Sequence, residues 1–209
     1  MDGEYKTVRD MGTAEIVEKR SRFIAYVRPV STEEAALDYL GYIRQKHRDA
    51  RHNVYAYIIR DNNIMRYSDD GEPGGTAGLP ILEVMRGRGL TDLIVVVTRY
   101  FGGILLGTGG LVHAYSKAAK DGIDAAGVAE MLLCRRLFIS CDYCSIGKEQ
   151  YEASEFDGVF CGETEYGETV KLEVFVPVGR EDEFVKRLID KTSAGVDITQ
   201  GEISYFEKG

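Results

Sequence analysis

The sequence predicts an α+β protein built from two parts, and three observations lead to this fold class. Predicted strands and helices are mixed along the first part of the chain, which contains one continuous apolar strand. The last part has a shorter order of strand, helix, two strands, helix and strand. Charge separates the same parts, because residues 1–133 carry 17 basic and 18 acidic side chains, whereas residues 134–209 carry 9 and 16. We therefore predict a junction at residues 127–134.

Local patterns predict each element of the first part. Two runs rich in β-branched and aromatic residues, at 14–17 and 23–27, indicate strands. A helix follows from Ser31, because Ser31-x-x-Glu34 is a capping box and apolar residues then recur at helical spacing. The further elements are strands at 53–60 and 64–68, a helix from about Pro80 to Gly87 or Gly89, a strand at 93–98 that is apolar throughout and therefore buried on both faces, and a helix from about Thr108 to Ala126.

The last part predicts a ferredoxin-like domain over residues 135–209. Its order of elements is βαββαβ, the split βαβ arrangement, and Tyr166-Gly167-Glu168 marks the turn between the two middle strands. The predicted elements are a strand at 135–141, a helix at about 145–156, strands at 158–165 and 169–176, a helix at 180–191 and a strand at 196–205.

Composition excludes several classes of protein. The chain has 209 residues, a net charge of −8 and 44% hydrophobic residues, which is typical of a globular protein and not of one that coats nucleic acid indiscriminately. The start of the chain lacks the basic and apolar order of a signal peptide, and no apolar run approaches the roughly 20 residues of a membrane span. We expect a cytoplasmic protein without membrane contact, whose four cysteines remain thiols.

A glycine-rich segment joins the apolar strand to the helix that follows it. Free backbone N–H groups and the helix dipole make such a place a candidate anion site, and tight packing of strand against helix is the structural alternative. The segment is not a Walker A loop, because Thr108 follows Gly107 where Lys is required, and Val112 takes the place of the third glycine of a dinucleotide fingerprint. The candidate binding residues are Arg99, Tyr100, Phe101, Gly102, Gly103, Gly107, Thr108, Gly109 and Gly110.

Three carboxylates precede the predicted second helix, at Asp69, Asp70 and Glu72. They could hold Mg²⁺ together with a substrate phosphate, but carboxylates before glycine-rich turns also serve as turn and cap residues, and Thr76 could cap the next helix. We favour the structural role, because no further ligand is adjacent. Cys141-x-x-Cys144 lacks a second close cysteine pair and is interpreted as packing. No metal or cofactor is predicted.

A basic stretch lies between the first helix and the next strand. Arg44 and Arg48 are spaced to share one helix face, and Arg51 and His52 follow them, so a basic ridge could meet phosphate. Cations near a helix C-terminus are also favourable for the helix dipole alone, which is the structural alternative.

Four segments together resemble the IMPACT family in its bacterial, YigZ-type form. They are RSRF at 20–23, ARHNVYAY at 50–57, DDGEPGGTAG at 69–78 and RYFGGILLG at 99–107. The family's early segment begins with Lys, where this chain has Arg20. The resemblance covers nearly the whole chain, with an IMPACT N-terminal domain at 1–130 followed by the small ferredoxin-like domain.

The resemblance implies that the first domain is an α/β sandwich like the second domain of ribosomal protein S-five. It implies that the tail is similar to domain five of elongation factor G. The family's eukaryotic members are translational regulators in the amino-acid-starvation pathway, and they carry an additional N-terminal interaction domain.

We therefore expect a non-enzymatic protein that binds RNA or the ribosome and regulates translation. Arg99 and the backbone at 102–110 would contact phosphate, and Tyr100 or Phe101 would stack on a base. The alternatives are an enzyme acting on a phosphorylated small molecule or nucleotide, and an adaptor that binds a protein partner in translation control.

Overall fold

The computed structural model describes residues 3–192 and 195–208 and confirms the predicted α+β class. Residues 5–129 form one compact unit, and the described residues after Ala129, with those before Tyr5, form the other. Within residues 3–192 and 195–208, no helix is both long and apolar enough to cross a bilayer.

The N-terminal unit is a five-stranded antiparallel sheet covered by helices on both faces. Its strands pair in the order β2-β3-β6-β4-β5. Strand β1 (Glu4–Val8) precedes this sheet and is not one of its five strands. The sheet and its helices are β2 (Gly12–Glu18), β3 (Ser21–Pro29), α1 (Glu33–Lys46), β4 (His52–Ile59), β5 (Ile64–Ser68), α2 (Gly78–Gly87), β6 (Leu93–Tyr100) and α3 (Gly107–Ala126).

Strand β6 lies at the centre of this sheet and explains why both faces must be covered. Its successive side chains point to opposite faces. Val95 and Val97 pack in a core with α2 and α3, whereas Ile94 and Val96 pack in a core with α1. Residues 93–99 are all buried, which confirms the prediction of a strand buried on both faces.

Several predicted boundaries of the N-terminal part are wrong in detail. The cap of α1 is Thr32 and not Ser31, because the Thr32 hydroxyl accepts a hydrogen bond from the amide of Ala35 at 3.1 Å. Strand β1 was not predicted, since its five residues have little periodicity. Strand β7 (Val128–Cys141) begins within the predicted junction at 127–134 and is much longer than the predicted strand at 135–141.

The C-terminal unit confirms the predicted βαββαβ order. Its sheet has the antiparallel strand order β10-β7-β9-β8, with the third strand inserted between the first and the second, as in a split βαβ arrangement. Alternate residues of β7 and β9 form a core with the two helices. The elements after β7 are α4 (Ile146–Ser154), β8 (Phe160–Tyr166), β9 (Val170–Pro177), α5 (Glu181–Thr192) and β10 (Asp197–Glu207).

The four cysteines of this unit are free thiols in two environments. Cys141 is buried, as its interpretation as a packing residue predicts, whereas Cys144 is exposed, so that interpretation is wrong for Cys144. Cys134 is buried, which raises the pKa of its thiol to about 11, and Cys161 is exposed. Within the described ranges, no group of three or more His, Cys, Asp or Glu side chains is arranged to hold a metal ion.

An unfavourable polar burial lies on α4 of the C-terminal unit. The side chain of Glu149, on α4, is completely buried, and neither carboxylate oxygen has a hydrogen-bond partner among the described residues. Burying a polar group without such a partner costs free energy that an apolar side chain of similar shape does not.

We therefore predict that Glu149→Met stabilises the protein. The expected gain in free energy of unfolding is about 1–3 kcal/mol, because the desolvation penalty of the carboxylate is removed. Denaturant unfolding, with hydrogen exchange of the α4 amides to localise the effect, measures it. The control is Lys148→Met at the adjacent exposed position, which should change stability by less than about 0.5 kcal/mol. Destabilisation by Glu149→Met would contradict the assignment.

Candidate functional site

The glycine-rich segment borders a cavity of about 420 Å³ in the N-terminal unit. The cavity lies between the segment after β6, the start of α3, the start of β4 and the turn that precedes α2. Its size is within the range of small-molecule pockets. Its polar lining consists of Arg51, His52, Glu72, Arg99 and Thr108, and its other lining residues are Pro73, Phe101, Leu105, Leu106, Gly107 and Leu111.

The first turn of α3 opens at this cavity, since Gly107 and Thr108 line it. Leu106 occupies the N-cap position and provides no side-chain hydrogen bond, and the first turn contains no acidic residue. The first four N–H groups of a helix have no partner within it, and they carry the positive end of the helix dipole. This turn of α3 therefore has the features of an anion site.

At three positions of the segment, the structure itself requires glycine. A Cβ on Gly102 would lie 2.0 Å from the carbonyl carbon of Arg20, which leaves no room for a side chain. Gly103 and Gly107 have φ values of +83° and +74°, in the left-handed region that favours glycine. Close packing therefore explains Gly102, and backbone conformation explains Gly103 and Gly107.

At position 109, by contrast, neither packing nor backbone conformation requires glycine. A Cβ at this position would meet nothing within 4 Å, the backbone has no positive φ, and the residue is exposed in the first turn of α3. Glycine within a helix costs about 0.5–1 kcal/mol relative to alanine. A bare backbone at this position does, however, allow a ligand to approach the helix N-terminus closely.

Arg99 forms a buried ion pair behind the cavity. Its Nη1 donates to Oε1 of Glu72 at 2.6 Å, and the side chains of the two residues are only 7% and 4% exposed. The hydroxyl of Tyr115, on α3, donates to the same oxygen at 2.7 Å. Burial, and secondarily the Glu72 carboxylate, raises the pKa of Tyr115, so the phenol stays protonated.

This ion pair corrects the predicted role of Arg99. The guanidinium was expected to contact phosphate, but its charge is already balanced by Glu72. Nη2 lies 3.5 Å from the hydroxyl of Ser21, which accepts the amide hydrogen of Gly102 at 3.1 Å. Nε has no acceptor among the residues the structure describes. Arg99 thus supports the wall of the cavity and does not present a free cation.

The remaining acidic residues of the turn confirm the structural interpretation. The carboxylate of Asp69 accepts hydrogen bonds from the amides of Gly75, Ala77 and Gly78 at 2.8, 3.0 and 2.8 Å. Asp69 therefore stabilises the start of α2 from outside the helix. The predicted cap, Thr76, is wrong, because its hydroxyl instead donates to the carbonyl of Pro73.

Asp70 connects the turn to β4 and α1. Its carboxylate accepts hydrogen bonds from the amide of Asn53 at 2.7 Å and from the guanidinium of Arg44 at 3.0 Å. Its carbonyl oxygen lies 2.8 Å from Nδ1 of His52. Since a carbonyl can only accept, Nδ1 of His52 carries the proton in this contact. The acidic turn is thus used within the fold.

The basic stretch does not form the predicted ridge. Helix α1 ends at Lys46, so Arg48 lies beyond it and does not share a face with Arg44. Arg44 is paired with Asp70. Arg51 and Arg48 are exposed and form no ion pair with a described residue, and only Arg51 lines the cavity.

Tyr100 and Phe101 lie in different places. Phe101 lines the cavity and is 47% exposed, so it is available for stacking. Tyr100 packs in the core under α1, and its hydroxyl lies 2.8 Å from Nδ1 of His47. The other ring nitrogen of His47 is 2.7 Å from the hydroxyl of Tyr26. The prediction that Tyr100 stacks on a base at this site is therefore wrong.

Three residues that support or line the cavity were not predicted as site residues from the sequence. Ser21 and Tyr115 hold the ion pair and the loop, and Leu105 adds an apolar side chain that is 81% exposed. Ser21 does lie in the early segment that carries the family resemblance, which is the one signal for it. Leu105 likewise lies in the segment at 99–107 that carries the resemblance, whereas Tyr115 has no comparable local signal, because any helix contains such residues.

The fold and the cavity together define an α+β protein with a pocket beside the first turn of α3 in its N-terminal unit. Comparison with known proteins gives the family. The Impact N-terminal domain matches residues 19–123, and a domain of unknown function, DUF1949, matches residues 139–194. The chain belongs to the IMPACT family, in agreement with the resemblance noted in its sequence.

Individual relatives cover both units. The chain is 42% identical over 205 residues to IMPACT family member YvyE of Bacillus subtilis, covering 98% of this chain and 94% of that protein. It is 34% identical over 175 residues to YigZ of Escherichia coli, covering 82% and 85%. The crystal structure of a hypothetical protein has a TM-score of 0.61 and 30% identity, covering 97% of this chain and 99% of that one.

The buried ion pair yields a prediction on stability. We expect Arg99→Met to lower the free energy of unfolding by about 3–5 kcal/mol, because it leaves the buried Glu72 carboxylate without its cation. The double variant Arg99→Met/Glu72→Met should lose less than the sum of the two single changes. Denaturant unfolding measures all three variants.

An exposed pair provides the control. Arg86→Met breaks the ion pair with Glu83, in which both side chains are 55% exposed, and should cost less than about 1 kcal/mol. Additive effects of the Arg99 and Glu72 changes would show that the two side chains are not coupled.

His47 yields a prediction on pH dependence. Burial first, and then the nearby charges of Lys46 and Arg22, lower the pKa of His47 below 6.5. The unfolded chain therefore takes up this proton at a higher pH than the folded protein. Stability from His47 is complete above about pH 6.5 and falls as the pH drops from there through the folded pKa.

The test compares the free energy of unfolding of wild type and His47→Gln between pH 5 and 8. Wild type should lose stability relative to the variant as the pH falls below about 6.5, because glutamine does not titrate. His52→Gln is the matched control, because the His52 ring contacts a backbone carbonyl, whereas the His47 ring lies between the hydroxyls of Tyr26 and Tyr100. Parallel curves for wild type and His47→Gln would exclude this role.

Proposed function

We propose that this protein regulates translation by binding RNA through the cavity face of its N-terminal unit. The observation that carries the proposal is the open first turn of α3, in which Gly109 leaves the backbone bare although neither packing nor backbone conformation requires glycine. Helix N-termini with accessible N–H groups bind phosphate. The regulatory part of the proposal rests on the eukaryotic members of the family.

The surroundings of this turn support an RNA phosphate as ligand. Arg51 lines the cavity and carries a charge that no described acidic side chain balances. Arg20 is exposed, and its backbone lies directly against Gly102. Phe101 lines the same cavity as Arg51. Phosphate contacts and aromatic stacking together are the usual means of binding single-stranded RNA.

The charge distribution is compatible with such a face. The net charge of residues 1–133 is −1, whereas residues 134–209 contribute −7. The repulsion expected from the total charge of −8 therefore originates mainly outside the N-terminal unit. A confined contact surface on this unit can attract phosphate, although the whole chain is acidic.

A pair of substitutions at Gly109 tests the proposal. Gly109→Asp places a carboxylate in the first turn of α3, where it suits the helix dipole but repels phosphate. We expect it to weaken binding of single-stranded RNA about tenfold while the fold remains stable. Gly109→Ala is the matched control, because it adds a Cβ in open space without charge, and it should bind like wild type.

Salt dependence provides the second measurement. Binding should weaken as salt increases, and Arg51→Ala should reduce the slope of log K against log salt by about 1. Arg99→Ala is unsuitable, because it also breaks the buried ion pair. Absent RNA binding, salt-independent binding, or equal effects of Asp and Ala at position 109 would reject the proposal.

A further inference from the structure

The cavity beside α3 has a size and a lining that specify more than a phosphate. We infer that it binds one unpaired nucleoside monophosphate unit, with the phosphate at the first turn of α3 and the base against the apolar wall. This inference rests on the proposed function and names the unit that the site recognises. The unit could belong to an RNA strand or to a free nucleotide, since both offer the same chemistry.

The volume limits the ligand to about one nucleotide. At about 420 Å³, the cavity lies toward the small end of the range for pockets that enclose a small molecule. A paired duplex, whose bases are stacked inside the helix, does not present a single base to such a cavity. The ligand therefore has to be single-stranded or free.

The apolar wall suits a base. Phe101 is 47% exposed and Leu105 is 81% exposed, whereas the neighbouring Leu106 is buried. Exposed apolar side chains around a concave site are typical of a ligand surface. A planar base stacked on the Phe101 ring would cover this surface.

The polar groups are placed to orient the ligand. Thr108, in the first turn of α3, lines the cavity together with Arg51 and with His52 from the start of β4. Arg99, which also lines the cavity, is more than nine-tenths buried, and its Nε lacks an acceptor within the described ranges. A buried donor without an acceptor is the second, independent indication of a polar ligand.

Glu72 is the one acidic side chain in the lining, and it does not exclude a phosphate. One of its carboxylate oxygens accepts hydrogen bonds from both Arg99 and Tyr115. The charge of Glu72 is therefore balanced by that of Arg99 within the protein. The attraction for an anion then comes from the helix terminus and Arg51.

The inferred nucleotide site is tested by measuring ligand affinities of the whole chain by calorimetry or NMR titration. The ligands are uridine monophosphate, uridine, ribose 5-phosphate and inorganic phosphate. Uridine monophosphate should bind at least tenfold more tightly than any of the other three, because only it engages both the base and the phosphate positions. Equal affinities for uridine monophosphate and inorganic phosphate would overturn the inference and leave only a simple anion site.

Two variants separate the base position from the phosphate position. Phe101→Leu should weaken uridine monophosphate and uridine alike, by about tenfold, through loss of stacking. Gly109→Asp should weaken uridine monophosphate about tenfold and leave uridine unchanged. Tyr42→Leu is the matched control, since it removes an aromatic ring that is 57% exposed on α1, and it should change nothing.

Competition with a single-stranded RNA oligonucleotide distinguishes this inference from the proposed function. If RNA binds and uridine monophosphate displaces it, both stand and the unit belongs to RNA. If uridine monophosphate binds and RNA does not, the inference stands with a free nucleotide, and the proposed function fails. If RNA binds and uridine monophosphate neither binds nor competes, the inference is overturned. If neither binds, both are overturned.

Discussion

The buried pair of Arg99 and Glu72 is the interaction on which the cavity depends. It joins the end of β6 to the acidic turn before α2, and Tyr115 adds α3 through the same carboxylate oxygen. Removing two charges from water is expensive, so such a pair persists only where geometry and further hydrogen bonds compensate. Three elements that are distant in sequence are thereby held at fixed distances around one concave surface.

The turn before α2 shows how the fold uses its acidic residues. Asp69 stabilises the start of a helix, Asp70 ties β4 to α1, and Glu72 neutralises Arg99. Each carboxylate satisfies backbone or cationic donors that would otherwise be left without partners. What resembles a ligand-binding acidic cluster in the sequence is therefore part of the support behind the cavity. The groups left for a ligand are the amides of α3, the polar side chains of Thr108, Arg51 and His52, and the apolar side chains of Phe101 and Leu105.

The sequence predicts what depends on local pattern. The apolar run of β6 and the βαββαβ order follow from hydrophobic periodicity, and both are confirmed. The partner of Arg99 is 27 residues away, and residue types alone do not reveal such pairs. The separation of Tyr100 from Phe101 is different, because neighbouring residues of an extended chain point to opposite faces. Alternation alone places Arg99 and Phe101 on one face of the sheet and Tyr100 on the other.

A balanced ion pair behind the site also determines how the site attracts a ligand. If Arg99 carried a free charge, it would attract any anion strongly, and shape would contribute little to selection. Because Glu72 balances that charge, attraction depends on the dipole of α3 and on Arg51. A helix terminus contributes at most about 2 kcal/mol and acts only over its first turn. Tight binding then requires the apolar wall as well, so a ligand that combines a flat apolar group with a phosphate fits this site better than a phosphate alone.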